Sequence, residues 1–159
     1  MPITPLVDLA DYDLSQTIHG KDQLYERLSQ AGRFALVDGV LAIDDEQQLI
    51  IGYKDVRGDE WWAEDHIPGR PLFPGTLMVE ASAQLSTYDF LVRKPDLDNA
   101  FIGFIGIENT KFRNTVEPDC RLVLVCKIAR LRKTMFTYEV QGFVNGEIAF
   151  ESRISGVAL

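Results

Sequence analysis

The spacing of apolar and polar residues predicts one long helix between two groups of strands. Residues 76–94 contain neither Gly nor Pro and are followed by Pro95, which predicts a helix about 28 Å long. A shorter amphipathic helix is predicted over residues 21–31 and ends at Gly32. The apolar stripe of the long helix consists of Leu77, Ala81, Leu85 and Tyr88, widened by Met78 and Ser82.

Strand-like segments precede and follow the long helix. Two of them come before it and five after it, over residues 34–43, 48–56, 101–107, 111–116, 120–130, 134–144 and 147–157. Asn145-Gly146 is typical of a two-residue hairpin turn. This order predicts an α+β domain over residues 21–159, in which a curved antiparallel sheet wraps around one long central helix. Residues 1–20 are predicted to be an irregular N-terminal segment.

Composition narrows the class of protein. The chain has 159 residues, enough for one domain, with 16 basic and 24 acidic side chains. Its net charge of −8 argues against general nucleic-acid binding. Residues 111–133 are the exception, with 7 basic and 2 acidic side chains. That segment either docks an acidic partner or is a solvated strand face with charged turns.

Targeting and metal-binding signals are missing from the sequence. No apolar run is long enough to span a membrane, and the N-terminus lacks the basic start and apolar core of a secretory signal. Cys120 and Cys126 make no disulfide framework and have no zinc-ligand spacing. We therefore expect a cytoplasmic protein with no metal and no cofactor.

Candidate chemistry concentrates in residues 59–84. His66 precedes Ile67-Pro68-Gly69, and Pro74-Gly75 comes directly before the long helix, so the connecting loop has a specified shape. The first N–H groups of a helix have no internal partner, and they can bind a carbonyl oxygen that gains negative charge. The loop therefore predicts an oxyanion donor near Gly75.

Glu80 and Gln84 lie one turn apart on the same face of the predicted helix. Apolar neighbours would raise the pKa of a buried Glu80, which suits a proton donor, while His66 suits a base. The plainer alternatives are a structural loop histidine and a glutamate on a solvated face. His19 has no neighbours that suggest chemistry, and Trp61 and Trp62 are expected to be core or interface anchors.

The run from His66 to Gln84, HIPGRPLFPGTLMVEASAQ, strongly resembles the signature of the β-hydroxyacyl-acyl-carrier-protein dehydratases. That family has His-Phe-Pro-Gly-x-Pro, Pro-Gly-Val-Leu and Glu-Ala-x-Ala-Gln in the same order, and the fit has no gap. Flanking matches extend the resemblance over about residues 24–157. They are Phe34-Ala-Leu-Val-Asp38, Asp59-Glu60, Lys111-Phe112-Arg113 and Val116-Glu117-Pro118.

The resemblance implies a hot-dog fold, a dimer or trimer of dimers, and a site at the dimer interface. His66 would take the C2 proton of a β-hydroxyacyl group on an acyl carrier protein. Glu80 of the partner would protonate the departing hydroxyl, leaving a trans-2-enoyl thioester. The N–H of Gly75 would polarise the thioester carbonyl, and Gln84 would hold Glu80. A Glu where the dehydratase/isomerase branch has Asp favours the plain dehydratase branch.

Several positions depart from the family pattern. Asp65 replaces the Gly before the motif histidine, Ile67 replaces an aromatic residue, and Ser29–Arg33 replaces Pro-His-Arg-Tyr-Pro. We therefore expect a divergent member. Two alternatives stay open: a hot-dog thioesterase, and a non-catalytic acyl-binding or assembly protein on the same dimer.

Acyl carrier proteins of this kind are acidic, which suggests that the basic segment is the surface that docks them. The residues we assign to it are Arg130, Arg132 and Lys133.

Overall fold

The computed structural model describes residues 3–159, in which a seven-stranded antiparallel sheet surrounds the long helix. The strands lie in the order β1-β2-β3-β5-β6-β7-β4, so β1 and β4 form the edges. The strands are β1 (His19–Gly20), β2 (Gly39–Asp44), β3 (Leu49–Val56), β4 (Ile102–Phe112), β5 (Cys120–Leu131), β6 (Met135–Val144) and β7 (Glu147–Ala158). The helices are α1 (Lys21–Arg27), α2 (Trp62–Asp65) and α3 (Gly75–Arg93), with short 3-10 turns at Leu9–Asp11, Gly32–Phe34 and Pro95–Leu97.

Helix α3 forms the centre of the core, as the sequence predicts. It packs against β3, β5, β6 and β7. Its bounds differ from the predicted 76–94 by one residue at each end. Burial extends beyond the predicted stripe to almost every side of the helix, from Leu77 to Leu91 with Glu80 as the exception. A helix buried on almost all sides needs packing partners around it, which the sheet and its connections provide here.

Two boundaries before α3 were predicted wrongly. Helix α1 ends at Arg27 rather than residue 31, because Leu28 has an extended backbone with φ −86° and ψ 148°. The predicted strand 34–43 begins only at Gly39. The N–H groups of Leu36 and Val37 explain this difference, since they donate to the side chains of Gln84 and Tyr25 instead of to a neighbouring strand.

The strands after α3 follow the prediction more closely. One strand, β4, replaces the two predicted over 101–107 and 111–116, and residues 113–116 are not extended in the sheet. Its pairing with β7 shifts register twice, between Phe104 and Gly106 and between Glu108 and Lys111. Strands β5, β6 and β7 lie where predicted. The Asn145-Gly146 turn is confirmed, with φ of 51° and 80°, the left-handed values such a hairpin needs.

The N-terminal segment covers the face of the sheet opposite α3. Met1 and Pro2, part of the predicted irregular segment, lie outside the described residues. Residues 3–18 contain one 3-10 turn, and then His19–Gly20 pairs with β2. The side chain of Gln141 fixes the segment, accepting from the N–H of Leu6 at 2.7 Å and donating to the carbonyl of Thr4 at 3.1 Å. The apolar residues that pack over this face are Leu6, Val7, Leu9, Tyr12 and Leu14, against Leu41, Leu49, Ile51, Tyr53, Val125 and Phe143.

Trp62 lies in the core beside Phe73, as expected for one of the two tryptophans, whereas Trp61 is exposed. Within residues 3–159, no helix is both long and apolar enough to cross a membrane.

Candidate active site

His66 caps the short helix α2 and is held by two hydrogen bonds. Its N–H donates to the carbonyl of Trp62 at 2.9 Å, and its Nδ1 lies 2.8 Å from the carbonyl oxygen of Leu72. A carbonyl oxygen only accepts, so in the neutral ring Nδ1 carries the hydrogen and Nε2 carries the free lone pair. The side chain is exposed, which leaves Nε2 available as a base.

A cavity of about 430 Å³ adjoins His66 and the start of α3. Gly75 is the first residue of the helix, and nothing within residues 3–159 accepts its N–H. A Cβ on Gly75 would lie 2.6 Å from the ring of Phe112, so only glycine fits this position without displacing that ring. The wall of the cavity includes His66, Pro74, Gly75, Met78, Phe112 and Val116. The structure thus brings the predicted base and the predicted oxyanion donor to one cavity.

Gln84 fixes the carboxylate of Glu80. Its Nε2 donates to Oε1 of Glu80 at 2.9 Å and to the carbonyl of Phe34 at 2.9 Å. Its Oε1 accepts from the N–H of Leu36 at 3.3 Å and from the hydroxyl of Tyr25 at 2.6 Å. The N–H of Leu36 can only donate, so the amide has one orientation, with its NH₂ group toward Glu80. Both the NH₂ group and the oxygen of the buried Gln84 amide therefore have hydrogen-bond partners.

Tyr25 completes this chain of hydrogen bonds. Its hydroxyl accepts from the N–H of Val37 at 2.9 Å and donates its own proton to Gln84. Burial raises the pKa of Tyr25 above its ordinary value, and nearby Asp38 and Glu80 raise it further. The phenol therefore stays protonated and remains a donor across the neutral range.

Within one chain, the predicted pair His66 and Gly75 does not contact the predicted pair Glu80 and Gln84. Glu80 does not line the cavity beside His66, and no hydrogen bond or ion pair joins them in the part of the chain that the structure describes. Asp65, the residue that departs from the family pattern, is exposed and makes no such contact with His66 either. Within one described chain, His66 and Gly75 therefore lie at one place and Glu80 and Gln84 at another.

The basic segment is only partly available for docking. Arg113 forms an ion pair with Glu151 at 3.2 Å, and Arg121 pairs with Asp55 at 2.7 Å. The assigned docking residues at the end of β5 and in the β5–β6 turn have no acidic partner within the described range. They are Arg130, Arg132 and Lys133, and all three are exposed. Their turn lies at the other end of β5 from Cys120, roughly 35 Å away at the usual rise of a strand.

Comparison with known proteins resolves the class. Residues 28–153 match the family described as the FabA-like domain. The chain belongs to this family. A 3-hydroxyacyl-[acyl-carrier-protein] dehydratase from Albidiferax ferrireducens is 33% identical over 136 residues, covering 84% of this chain and 89% of the relative. One from Janthinobacterium is also 33% identical over 136 residues, covering 84% and 86%.

Solved structures agree on the fold. The dehydratase heterocomplex ApeI:P from Xenorhabdus doucetiae matches with a TM-score of 0.73 at 12% identity, covering 86% of this chain and 90% of that chain. A mutant thioesterase from Pseudomonas aeruginosa matches with a TM-score of 0.65 at 16% identity, covering 92% and 100%. The predicted hot-dog fold, with its antiparallel sheet around α3, is confirmed, as is the predicted place of the chain as a divergent dehydratase of the plain branch.

Sequence reasoning missed three contributors to the site. Tyr25 could have been found as a polar residue next to the buried Leu24 in α1. Phe112 carries no local signal, since only the folded chain places its ring against Gly75. The carbonyl of Phe34 is a backbone group, and the sequence does not reveal its partner.

Proposed function

We propose that this protein removes water from β-hydroxyacyl groups carried on an acyl carrier protein and releases trans-2-enoyl thioesters. The relatives named as dehydratases of acyl-carrier-protein substrates support the reaction class. The observation that carries the proposal most directly is the arrangement around Glu80, whose carboxyl is held by the buried amide of Gln84 on the central helix.

The proposed chemistry needs a base, an acid and a polarised carbonyl. Nε2 of His66 takes the C2 proton, and the electron pair of that C–H bond forms the C2–C3 double bond. Charge that develops on the thioester oxygen is met by the N–H of Gly75 and the positive end of the α3 dipole. Oε1 of Glu80 accepts from Gln84, which leaves Oε2 to carry the proton that departs with the hydroxyl as water. No metal and no cofactor take part in this scheme.

We propose that two chains complete each site by pairing their β4 strands. Strand β4 is a long sheet edge, and exposed edges with apolar side chains are normally covered. Pairing about a two-fold axis would be antiparallel and would join the two sheets. His66 of one subunit would then face Glu80 of the other, in a dimer or a trimer of dimers. The exposed apolar residues of this edge are Phe104, Ile105, Ile107 and Phe112.

The same dimer would bring the proposed docking residues toward the site of the partner. The β5–β6 turn lies at the Ile102 end of β4, because Ala158 pairs with Ile102 and donates to the carbonyl of Thr134. The His66 cavity lies at the Phe112 end. Antiparallel pairing of β4 places the Ile102 end of one subunit beside the Phe112 end of the other.

Charge reversal tests the docking proposal. The variant Arg130→Glu/Arg132→Glu/Lys133→Glu should raise KM for a carrier-bound substrate and leave turnover of a short thioester mimic unchanged. The same change from a basic to an acidic side chain outside this surface, Lys94→Glu, is the control. An equal loss with both substrates would overturn the assignment of these residues.

The reaction itself is tested by hydration of a crotonyl thioester, the reverse direction, followed through loss of the conjugated absorbance. The wild type should be active, and His66→Ala and Glu80→Gln should each lose activity while remaining folded dimers. Release of free thiol would instead indicate a thioesterase. Retained ligand without turnover, with the natural carrier present, would indicate a binding or assembly protein.

A cytoplasmic location is part of the same proposal. Cys120 and Cys126 are both unbridged. Burial raises the pKa of Cys126 to about 12 and also raises that of Cys120, so both remain neutral thiols. Unbridged thiols are typical of a reducing compartment.

A further inference from the structure

A second cavity, of about 670 Å³, lies on the side of the molecule where α1, β3 and the start of α2 converge. It is separate from the cavity of His66 and shares no lining residue with it. Ala35 in its wall precedes Leu36, whose N–H binds Gln84. The cavity therefore adjoins the acid side of the proposed active site.

One of the four basic side chains that line this cavity has no acidic partner among the described residues. Four carboxylates line it, and each is paired with a basic side chain: Asp38 with Lys21, Asp55 with Arg121, Asp59 with Arg57, and Glu60 with Lys54. Arg33 also lines the cavity, is exposed, and has no acidic partner between residues 3 and 159. The free donor of the cavity is thus a guanidinium, the group best suited to a phosphate.

An exposed aromatic surface stands beside that guanidinium. Trp61 lines the cavity, is 40% exposed, and stacks on Phe34 with ring centroids 6.4 Å apart and an angle of 24° between the planes. Phe34 is 48% exposed and follows Arg33 directly in the chain. Exposed apolar surface of this kind often marks a binding site, and the neighbouring guanidinium favours an anionic ligand.

A short path connects this surface to Glu80. One nitrogen, Nε2 of Gln84, binds both the carboxylate of Glu80 and the carbonyl of Phe34 at 2.9 Å. Two hydrogen bonds of Gln84 therefore link Glu80 to Phe34, the residue that follows Arg33 in the chain. A pantetheine arm, extended, places its phosphate roughly 15 Å from the thioester sulfur, by the usual length of an extended chain.

We propose that Arg33 binds the phosphate at the end of the pantetheine arm, with Trp61 and Phe34 flanking it. This inference rests on the proposed function, since it assumes that a thioester occupies the site beside Glu80. The phosphate is common to a carrier-borne phosphopantetheine and to coenzyme A, and an adenine ring on Trp61 would belong only to the second. Arg33 ends the segment 29–33, where the chain departs from the family pattern.

Binding of free arms tests the proposal without any turnover. Pantetheine, phosphopantetheine and coenzyme A are titrated by calorimetry into wild type, Arg33→Ala and Arg33→Lys. Phosphopantetheine should bind the wild type about tenfold more tightly than pantetheine, Arg33→Ala should remove that difference, and Arg33→Lys should keep part of it. Lys94→Ala, at a basic residue outside the cavity that has no ion pair within residues 3–159, is the control and should bind like wild type. Equal binding of pantetheine and phosphopantetheine by the wild type would overturn the proposal.

The variant Trp61→Ala separates the two sources of phosphate. Once the Arg33 variants have shown the phosphate contact, weaker binding of coenzyme A to Trp61→Ala with unchanged binding of phosphopantetheine places the nucleotide on Trp61. Equal binding of coenzyme A and phosphopantetheine by both proteins assigns the contact to a carrier-borne arm.

Kinetics give an independent readout. Arg33→Ala should raise KM for crotonyl-coenzyme A about tenfold, while kcat and the KM for crotonyl-pantetheine stay at wild-type values. Equal changes with both substrates would contradict a phosphate contact. Absence of turnover in the wild type would overturn the proposed function, and the binding series would still decide whether Arg33 recognises phosphate.

Discussion

Gln84 donates from its Nε2 to Oε1 of Glu80, 2.9 Å away and one helical turn earlier. The same side chain binds Tyr25, Phe34 and Leu36, so the orientation of the Glu80 carboxyl depends on a network that ties α3 to the chain before β2. Two consequences follow, one for stability and one for catalysis.

Gln84→Met keeps the size of the side chain and removes all four hydrogen bonds. We expect the free energy of unfolding to fall by about 2–4 kcal/mol, because the buried N–H of Leu36 and the hydroxyl of Tyr25 lose their acceptor. We also expect kcat for crotonyl thioester hydration to fall about tenfold or more, since Glu80 is no longer held. Urea unfolding and steady-state kinetics measure the two effects. Gln47→Met, in the exposed β2–β3 turn, is the control and should change neither. Wild-type kcat in a folded Gln84→Met protein would contradict the role given to Gln84.

Gly75→Ala tests the packing at the start of α3. The new Cβ would lie 2.6 Å from the Phe112 ring, so either the ring or the first helical turn must move. We expect a loss of kcat/KM larger than the loss of stability, because the displaced atoms line the His66 cavity. A second change, Phe112→Leu, should restore part of the stability. Gly58→Ala, where the nearest side-chain atom is 3.7 Å from the new Cβ, is the control. Full activity of Gly75→Ala would contradict the proposed role of the Gly75 N–H in binding the thioester oxygen.

Alkaline pH should destabilise the fold through its buried tyrosines. Burial raises the pKa of Tyr25 and of Tyr138 above the ordinary value of 10, and Asp89 raises that of Tyr138 further. The folded chain therefore keeps these protons after the unfolded chain has lost them. Their contribution to stability is complete below pH 10 and is lost as the pH rises from 10 toward the folded-state values, by up to about 1.4 kcal/mol per pH unit for each group.

Urea unfolding at pH 9, 10 and 11 measures this loss. Tyr25→Phe should be less stable than wild type at pH 9 but lose less between pH 10 and 11. If the free energy of unfolding fell equally with pH in wild type and Tyr25→Phe, Tyr25 would not contribute to the alkaline loss of stability.

The edge strand β4 provides a test of assembly. Ile107→Lys places a charge in the exposed apolar row that we assign to the dimer interface. Edge lysines oppose strand pairing, so we expect a monomer by size-exclusion chromatography with light scattering, and no hydration activity. Gln47→Lys, exposed in the β2–β3 turn on the side of the sheet away from β4, should remain dimeric and active. An active Ile107→Lys monomer would refute a site built from two chains.

Patterns within the chain were enough to predict some elements and not others. Helix α3 follows from a run of 19 residues without Gly or Pro that ends at Pro95, and strands β3, β5, β6 and β7 follow from β-prone runs bounded by turn residues. Strand β2 starts late because Leu36 and Val37 bind side chains 48 and 12 residues away along the chain, contacts that no local pattern records.

The candidate site shows the same division. The order of His66, Gly75, Glu80 and Gln84 is the basis of the proposed chemistry, and the Gln84–Glu80 contact follows from helical spacing. The separation of His66 from Glu80 within the chain, and the ring of Phe112 against Gly75, depend on how distant segments pack.

Mixing two inactive variants tests the central claim most directly. His66→Ala and Glu80→Gln are each purified, shown to be folded and inactive, and then unfolded and refolded together so that subunits exchange. If His66 and Glu80 act across the interface, a mixed dimer has one intact site, and the mixture should recover about a quarter of wild-type crotonyl thioester hydration. Refolding each variant alone is the control and should recover none. A mixture that stays inactive, while wild type treated in the same way is active, would contradict a dehydratase site formed by His66 of one subunit and Glu80 of the other.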